Sequence, residues 1–334
     1  MYEALKLTHL PRVLMRVLLF GATGTIGQAT CKALLALGHQ VVCFVRQSSQ
    51  DQSRDMLAGA VLRFGDVQSI QSVKSEALQG DSFDAMVSCL ASRTGAPKDA
   101  WAIDYQAHSQ LLQLAKEAGI KQFVLLSAIC VQKPVLSFQQ AKLAFEQELR
   151  ESGLVYSIVR PTAFFKSLSG QIKRLQQNKP FLLFGDGQLT ACKPISDHDL
   201  GMFIADCLSD ASKHNRILPI GGPGDAITPL QHGQYLFKAM GKTPHYKHVP
   251  VALLDVIIQV LKCSGWFIPS LAAKAELARI GRYYATESML VWDANTQQYD
   301  ASATPSFGTQ TLFDHYDQLL RGESQVHLGD HSVF

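Results

Sequence analysis

The stretch Arg16-Val17-Leu18-Leu19-Phe20-Gly21-Ala22-Thr23-Gly24-Thr25-Ile26-Gly27-Gln28-Ala29-Thr30-Cys31-Lys32-Ala33-Leu34-Leu35 decides the fold. Its first five residues form an apolar run of strand character, and its last eight repeat apolar side chains at helical spacing. Between them the glycines fall as G-x-x-G-x-x-G. Glycine lets the backbone turn tightly and come close to a ligand, while the free amides and dipole of a helix start attract phosphate. A strand, a glycine turn and a helix in that order make a seat for a dinucleotide pyrophosphate, here built from Gly21, Thr23, Gly24, Thr25, Ile26 and Gly27. The plain alternative is a strand-to-helix turn that holds nothing.

One strand further on, Gln40-Val41-Val42-Cys43-Phe44-Val45 ends at Arg46, about 20 residues past the glycines. An acidic residue at this point would bond an unphosphorylated ribose. Arg46 offers a planar, permanently charged fork suited to a 2′-phosphate, so the expected cofactor is NADP(H) rather than NAD(H).

The same alternation continues. Strands are predicted at 16–20, 40–45, 61–64, 85–90, 122–127 and 156–160, and helices at 25–37, 99–118 and 137–151. This order gives an α/β fold, a Rossmann-type doubly wound parallel sheet whose ligands bind beyond the carboxyl ends of the strands. Asp66, Leu90, Ala91, Ser127, Pro161 and Thr162 all fall at such ends, with Asp66 on the adenine side or simply capping its loop. After Pro161 the pattern becomes irregular. Ser196 with Asp199 resembles a capping box, and Thr228-Pro229 supplies a cap and a first-turn proline. We therefore divide the chain into an NADP-binding domain at 13–165 and a smaller, substrate-covering C-terminal lobe at 166–330. No linker separates them, and the second lobe is interleaved with the sheet.

Composition excludes several classes. The chain has 334 residues, 47% hydrophobic and 18% charged, with a net charge of +3, enough apolar material for a large core and too little charge to imply nucleic acid. Seven cysteines are scattered without a C-x-x-C pair, as in a reducing compartment. Eleven histidines lack an accompanying ligand cluster, so no metal is expected. No run approaches the roughly 18 apolar residues of a membrane span. The segment 251–261 reads as a helix with a large apolar face that could cover a greasy ligand, lie on a membrane surface or, the favoured reading, pack on the core.

The glycine spacing resembles that of the extended and atypical short-chain dehydrogenases. That superfamily places Y-x-x-x-K on the helix after the fifth strand, the lysine lowering the phenol pKa and bonding the nicotinamide ribose. The matching stretch here is Phe138-Gln139-Gln140-Ala141-Lys142: the lysine is kept and the tyrosine is replaced by phenylalanine. Reduction of a carbonyl needs that phenol to protonate a developing alkoxide. Reduction of a conjugated carbon–carbon double bond does not, because the π system spreads the incoming charge and a proton can reach carbon from water or a weaker donor. Phe138 would suit such a reaction by packing on a flat apolar substrate.

Longer runs are more specific. Val87-Ser88-Cys89-Leu90-Ala91-Ser92-Arg93, Phe123-Val124-Leu125-Leu126-Ser127-Ala128-Ile129-Cys130-Val131-Gln132-Lys133-Pro134, Val159-Arg160-Pro161-Thr162-Ala163-Phe164-Phe165-Lys166-Ser167-Leu168, Phe184-Gly185-Asp186-Gly187, Lys193-Pro194-Ile195-Ser196 and Ile280-Gly281-Arg282-Tyr283-Tyr284-Ala285 closely resemble the NADPH-dependent divinyl chlorophyllide 8-vinyl reductases. The resemblance implies reduction of the 8-vinyl group of a divinyl chlorophyllide or protochlorophyllide to ethyl, in chlorophyll or bacteriochlorophyll synthesis. It also implies phenylalanine at position 138. Plant members carry a transit peptide for which this chain has no room, so the expected location is a bacterial cytoplasm, with peripheral contact to a photosynthetic membrane compatible. In this reading Arg46 holds the 2′-phosphate and Lys142 the ribose. Phe138, Phe164, Phe165, Trp266 and Phe267 wall an apolar slot, with Tyr283 also beside the pigment, and Lys166 or Arg282 meets a propionate. Ser127, Tyr105, Tyr283 and Tyr284 are candidate proton donors. Two rivals stand: a non-catalytic NADP(H)-binding relative acting in pigment–protein assembly or redox sensing, and a reductase of another conjugated substrate, as in the isoflavone-type enzymes.

Overall fold

The computed structural model describes residues 14–265 and 269–323. β1 (Arg16–Phe20) is buried on both faces: Val17 and Leu19 join one hydrophobic cluster, Leu18 and Phe20 another. A strand apolar on both sides belongs inside a parallel sheet sheathed by helices. The sheet adds β2 (Gln40–Val45), β3 (Val61–Phe64), β4 (Ala85–Ser88), β5 (Gln122–Leu126) and β6 (Val155–Pro161). β7 (Phe181–Phe184) stands outside it, and β8 (Arg216–Ile220) completes it. The seven strands run in the order β3-β2-β1-β4-β5-β6-β8, every neighbouring pair parallel. The order reverses between β1 and β4, which opens the crevice where doubly wound sheets bind nucleotides.

The longer helices are α1 (Thr25–Ala36), α2 (97–117), α3 (Ser137–Glu151), α4 (Asp197–Asp206), α5 (Pro229–Ala239), α6 (Val251–Gly265), α7 (Pro269–Thr286) and α8 (Leu312–Leu320). α1 and α4 cover one face of the sheet, burying Cys31, Leu34, Phe203 and Ile204. They meet backbone to backbone at Gly201, where a Cβ would lie 2.6 Å from the carbonyl carbon of Ala29. α2 and α3 cover the other face with Leu111, Leu114, Phe145 and Leu149. The two expected caps form: Ser196 accepts the Asp199 amide at 3.0 Å, and Thr228 exchanges bonds with Gln231.

Two elements differ from their predicted form. β4 was expected to reach residue 90 but ends at Ser88; Cys89 donates to Phe20 and the chain then leaves the sheet. Gly21 presses on that point, since a Cβ there would meet Cys89 and Leu90 backbone within 2.7 Å. In α2 the turn Trp101–Ala107 widens to i→i+5 hydrogen bonding, a local insertion that simple periodicity does not reveal.

The second lobe pairs β7 with β9 (Tyr246–Val249) and β10 (Val291–Asp293) with β11 (Gln298–Asp300). Its core gathers Phe165, Leu183, Leu236, Phe237, Leu312 and Tyr316. Both α4 and β8 come from beyond residue 166, so the lobes share the sheet. α6 corrects the favoured sequence reading. Only Ile258 is buried between residues 251 and 263, while Leu253, Val256, Ile257 and Val260 are exposed along one stripe. Among the described residues, no helix is long and apolar enough to cross a membrane.

Candidate active site

Strand register fixes the carboxyl edge of the sheet. Phe20 stands level with Phe44 and Ser88, Val45 with Phe64, and Leu126 with Val159. Gly21, Arg46, Asp66, Leu90, Ala91, Ser127, Pro161 and Thr162 therefore collect along one edge. Gly21 needs its left-handed backbone (φ +74°) to make the turn against β4. Gly27 lets α1 close on the turn, since a Cβ there would meet the Gly21 carbonyl oxygen at 2.1 Å. At Gly24 a Cβ would touch only that oxygen, at 3.4 Å, which leaves this side of the turn open. No side chain caps α1 and its first turn carries no acid, so its leading amides remain available to an anion. The turn thus fits a pyrophosphate.

Arg46 follows β2 with an exposed side chain. Asp66 is exposed too; one carboxylate oxygen accepts the Gln68 amide at 2.9 Å, so it caps its own loop. Leu90 is half-buried and Ala91 exposed. Pro161 and Thr162 are buried, with the Thr162 hydroxyl donating to the Lys193 carbonyl and its amide to Ile220. The Thr162 hydroxyl is therefore committed to the backbone of the second lobe.

Lys142 sits on α3 with its ammonium 2.9 Å from Oδ1 of Asp104 on α2, both groups nearly out of water. Asp104 Oδ1 also accepts the Ser92 amide at 3.2 Å, whereas its buried Oδ2 has no protein donor. One turn along, His108 bonds Ser88 Oγ through Nε2 and the Ile103 carbonyl through Nδ1, each at 2.8 Å. Burial, with help from the Lys142 charge, pushes His108 down to about 4, so its ring is neutral at pH 7. Neither Asp104 nor His108 stood out from sequence. Their i, i+4 spacing on one helix was the available signal.

Phe138 is buried against Ala141, Ile129, Ile280 and Tyr283, and α7 lies across it. α7 is tethered there by Tyr283, which donates to the Cys130 carbonyl at 2.9 Å, and by Arg279, which donates to the Val135 carbonyl at 3.0 Å. Gly95 permits the contact: a Cβ there would strike Ile280 at 2.7 Å.

Several expected roles change. Ser127 is not a free acid, because its hydroxyl donates to Glu146 at 2.5 Å while Glu146 also holds Arg160. Tyr283 and Tyr284 both direct their hydroxyls at Cys130, and burial raises the pKa of Tyr283. Tyr105 differs: half-buried and edge-on to Trp101 at 5.6 Å, it packs beside the Phe138 cluster, and its hydroxyl has no hydrogen-bond partner among the described residues. Phe165 turns into the second-lobe core, 5.3 Å from the His315 ring, and walls no slot; Phe164 is half-buried against the sheet cluster. Arg282 is paired with Asp255 of α6 and is not free for a propionate. Lys166 reaches the glycine turn, 3.1 Å from Thr25 Oγ1, instead of the expected pigment side. Trp266 and Phe267 lie outside the described residues. Among the described residues, no group of three or more His, Cys, Asp or Glu could hold a metal ion.

An NAD(P)H-binding family model matches residues 21–211. The chain is 47% identical over 332 residues to a divinyl chlorophyllide a 8-vinyl-reductase of Cucumis sativus, covering 95% of this chain and 79% of that protein. This chain belongs to the divinyl chlorophyllide a 8-vinyl-reductase family. The vinyl-reductase relationship far exceeds that to photosystem II assembly factor Ycf39 of Cyanophora paradoxa, 26% identical over 81% of this chain and 83% of that one. In fold, the family member is similar to an NADPH-dependent quinone oxidoreductase from Escherichia coli complexed with NADPH, with a TM-score of 0.66 and 20% identity over 91% of this chain and 99% of that one. The family model makes this an NAD(P)H-binding fold.

Proposed function

We propose that this chain reduces the 8-vinyl group of a divinyl chlorophyllide or protochlorophyllide to ethyl. The observation that carries the reading is the 47% identity over nearly the whole chain to a vinyl reductase. The site chemistry agrees with it. NADPH supplies a hydride, and the product balances when one proton joins the second vinyl carbon. Lys142 is fixed by Asp104 where its ammonium can bond the nicotinamide ribose, and the unpartnered Asp104 oxygen offers an acceptor to a hydroxyl. Phe138 occupies the superfamily phenol position, so no acidic phenol competes to protonate a carbonyl there. Its ring is the aromatic surface we assign to the pigment. Gly21, Thr23, Gly24, Thr25, Ile26 and Gly27 cradle the pyrophosphate, Arg46 takes the 2′-phosphate and Asp66 flanks the adenine. Leu90, Ala91, Pro161 and Thr162 border the cofactor, and Phe164 and Tyr283 border the pigment. Tyr105 is the proton donor that the hydroxyl arrangement favours.

The test is optical and isotopic. Protein, NADPH and divinyl chlorophyllide should shift the pigment's Soret band, and reductant deuterated at nicotinamide C4 should leave deuterium in the ethyl arm. NADPH binding without a shift would instead support a non-catalytic assembly or sensing protein, and turnover confined to small phenolics would support the isoflavone-type reading.

For location, seven free thiols, six of them at least partly buried, support a reducing compartment such as a bacterial cytoplasm. The exposed stripe Leu253, Val256, Ile257 and Val260 supports peripheral contact with a photosynthetic membrane. Flotation with anionic vesicles checks this, and a Val256→Glu, Val260→Glu variant that floats equally well would remove the stripe from it.

A further inference from the structure

Lys166 belongs to the short helix Phe165–Leu168, whose Phe165 is rooted in the second-lobe core. Its ammonium crosses to the first lobe and stands 3.1 Å from the hydroxyl of Thr25, the first residue of α1. This is an adverse place for a cation. The start of a helix carries partial positive charge, and α1 has no acid in its first turn to balance it. Among the described residues, no carboxylate forms an ion pair with Lys166. The Lys166 charge is felt by Asp197 at the start of α4, whose buried Oδ1 has no hydrogen-bond donor among the described residues. A cation held by the fold against a helix dipole becomes favourable when an anion lies between them.

We propose that Lys166 is a pyrophosphate ligand delivered by the second lobe, so that NADPH bridges the two lobes through the phosphates. The glycine turn supplies amides from one side and Lys166 a full charge from the other. The inference rests on the cofactor, which is independent of the pigment assigned above, and its test needs no turnover.

Full-length protein is titrated with NADPH and with adenosine 2′-monophosphate, which keeps the 2′-phosphate and lacks the pyrophosphate. Lys166→Gln should weaken NADPH tenfold or more and change 2′-AMP less than twofold, and Lys166→Arg should restore most of the NADPH affinity. Arg46→Gln, in contrast, should weaken both ligands. Unchanged NADPH affinity in Lys166→Gln would overturn the proposal, as would equal loss of both ligands. A raised KM for pigment with NADPH affinity intact would return Lys166 to the substrate carboxylate and equally overturn it.

Discussion

Lys142 Nζ and Asp104 Oδ1 are 2.9 Å apart, on two different helices, with the carboxylate fully buried. Removing one partner of such a pair leaves an uncompensated buried charge. Asp104→Ala should therefore lower unfolding stability by about 3–5 kcal/mol in urea titrations. A loss under about 1 kcal/mol would show that the pair is solvated and holds nothing in place.

Arg46 ends β2 with its guanidinium exposed. If it holds the 2′-phosphate, Arg46→Gln should weaken NADPH by roughly 10- to 100-fold, the size of one or two charge-assisted hydrogen bonds, and leave NADH unchanged. Fluorescence titration with both cofactors decides this, and a surviving preference for NADPH would move phosphate recognition elsewhere.

Among the described residues, Tyr105 keeps an uncommitted hydroxyl next in sequence to the Lys142 counter-ion. Tyr105→Phe should reduce turnover about 100-fold, the usual share of a general acid, with NADPH affinity intact. Unaltered single-turnover rates would leave water as the proton source.

Stability should fall in mild acid. Burial holds His108 and His232 each near about 4, below the ordinary value of 6.5, so the unfolded chain takes up protons that the folded chain refuses between those limits. Stability is therefore lost as pH drops through that window. Asp197 opposes this: burial raises it to about 6 from an ordinary 3.8, so its contribution is fully present below 3.8 and is lost as pH rises through about 6. His232→Gln should recover on the order of 1–3 kcal/mol of the loss between pH 7 and 4.5. Equal acid sensitivity in variant and parent would exonerate that ring.

Gly201→Ala places a methyl group 2.6 Å from the Ala29 carbonyl carbon, so α1 and α4 must separate. The cost should be about 1–3 kcal/mol, read as a lowered urea midpoint with an unchanged slope. An unchanged midpoint would mean that the helices separate at no cost.

The strands and the glycine turn were legible because their signals are local. An apolar run buried on both faces, a turn that only glycine fits and a capped helix are all written in adjacent residues. Six strands were found within two residues, including Val61–Phe64 with its exact ends. The side-chain partners were not legible, because each is a long-range choice. Nothing near Lys166 announces that it will meet Thr25, 141 residues earlier, or that Ser127 will give its hydroxyl to Glu146. Phe164 and Phe165 illustrate the limit: they are adjacent and alike in the sequence, yet Phe164 packs on the sheet cluster while Phe165, opening a short helix, enters the second-lobe core.

β8 returns from the distal half of the chain to pair with β6 through five residues, Ser157 to Pro161. A polypeptide severed after position 165 would retain its nucleotide turn yet present β6 as a raw sheet margin, an invitation to promiscuous strand exchange. Cutting the chain there would leave each part unfinished, the first lacking the strand that closes its sheet and the second lacking the sheet that this strand joins.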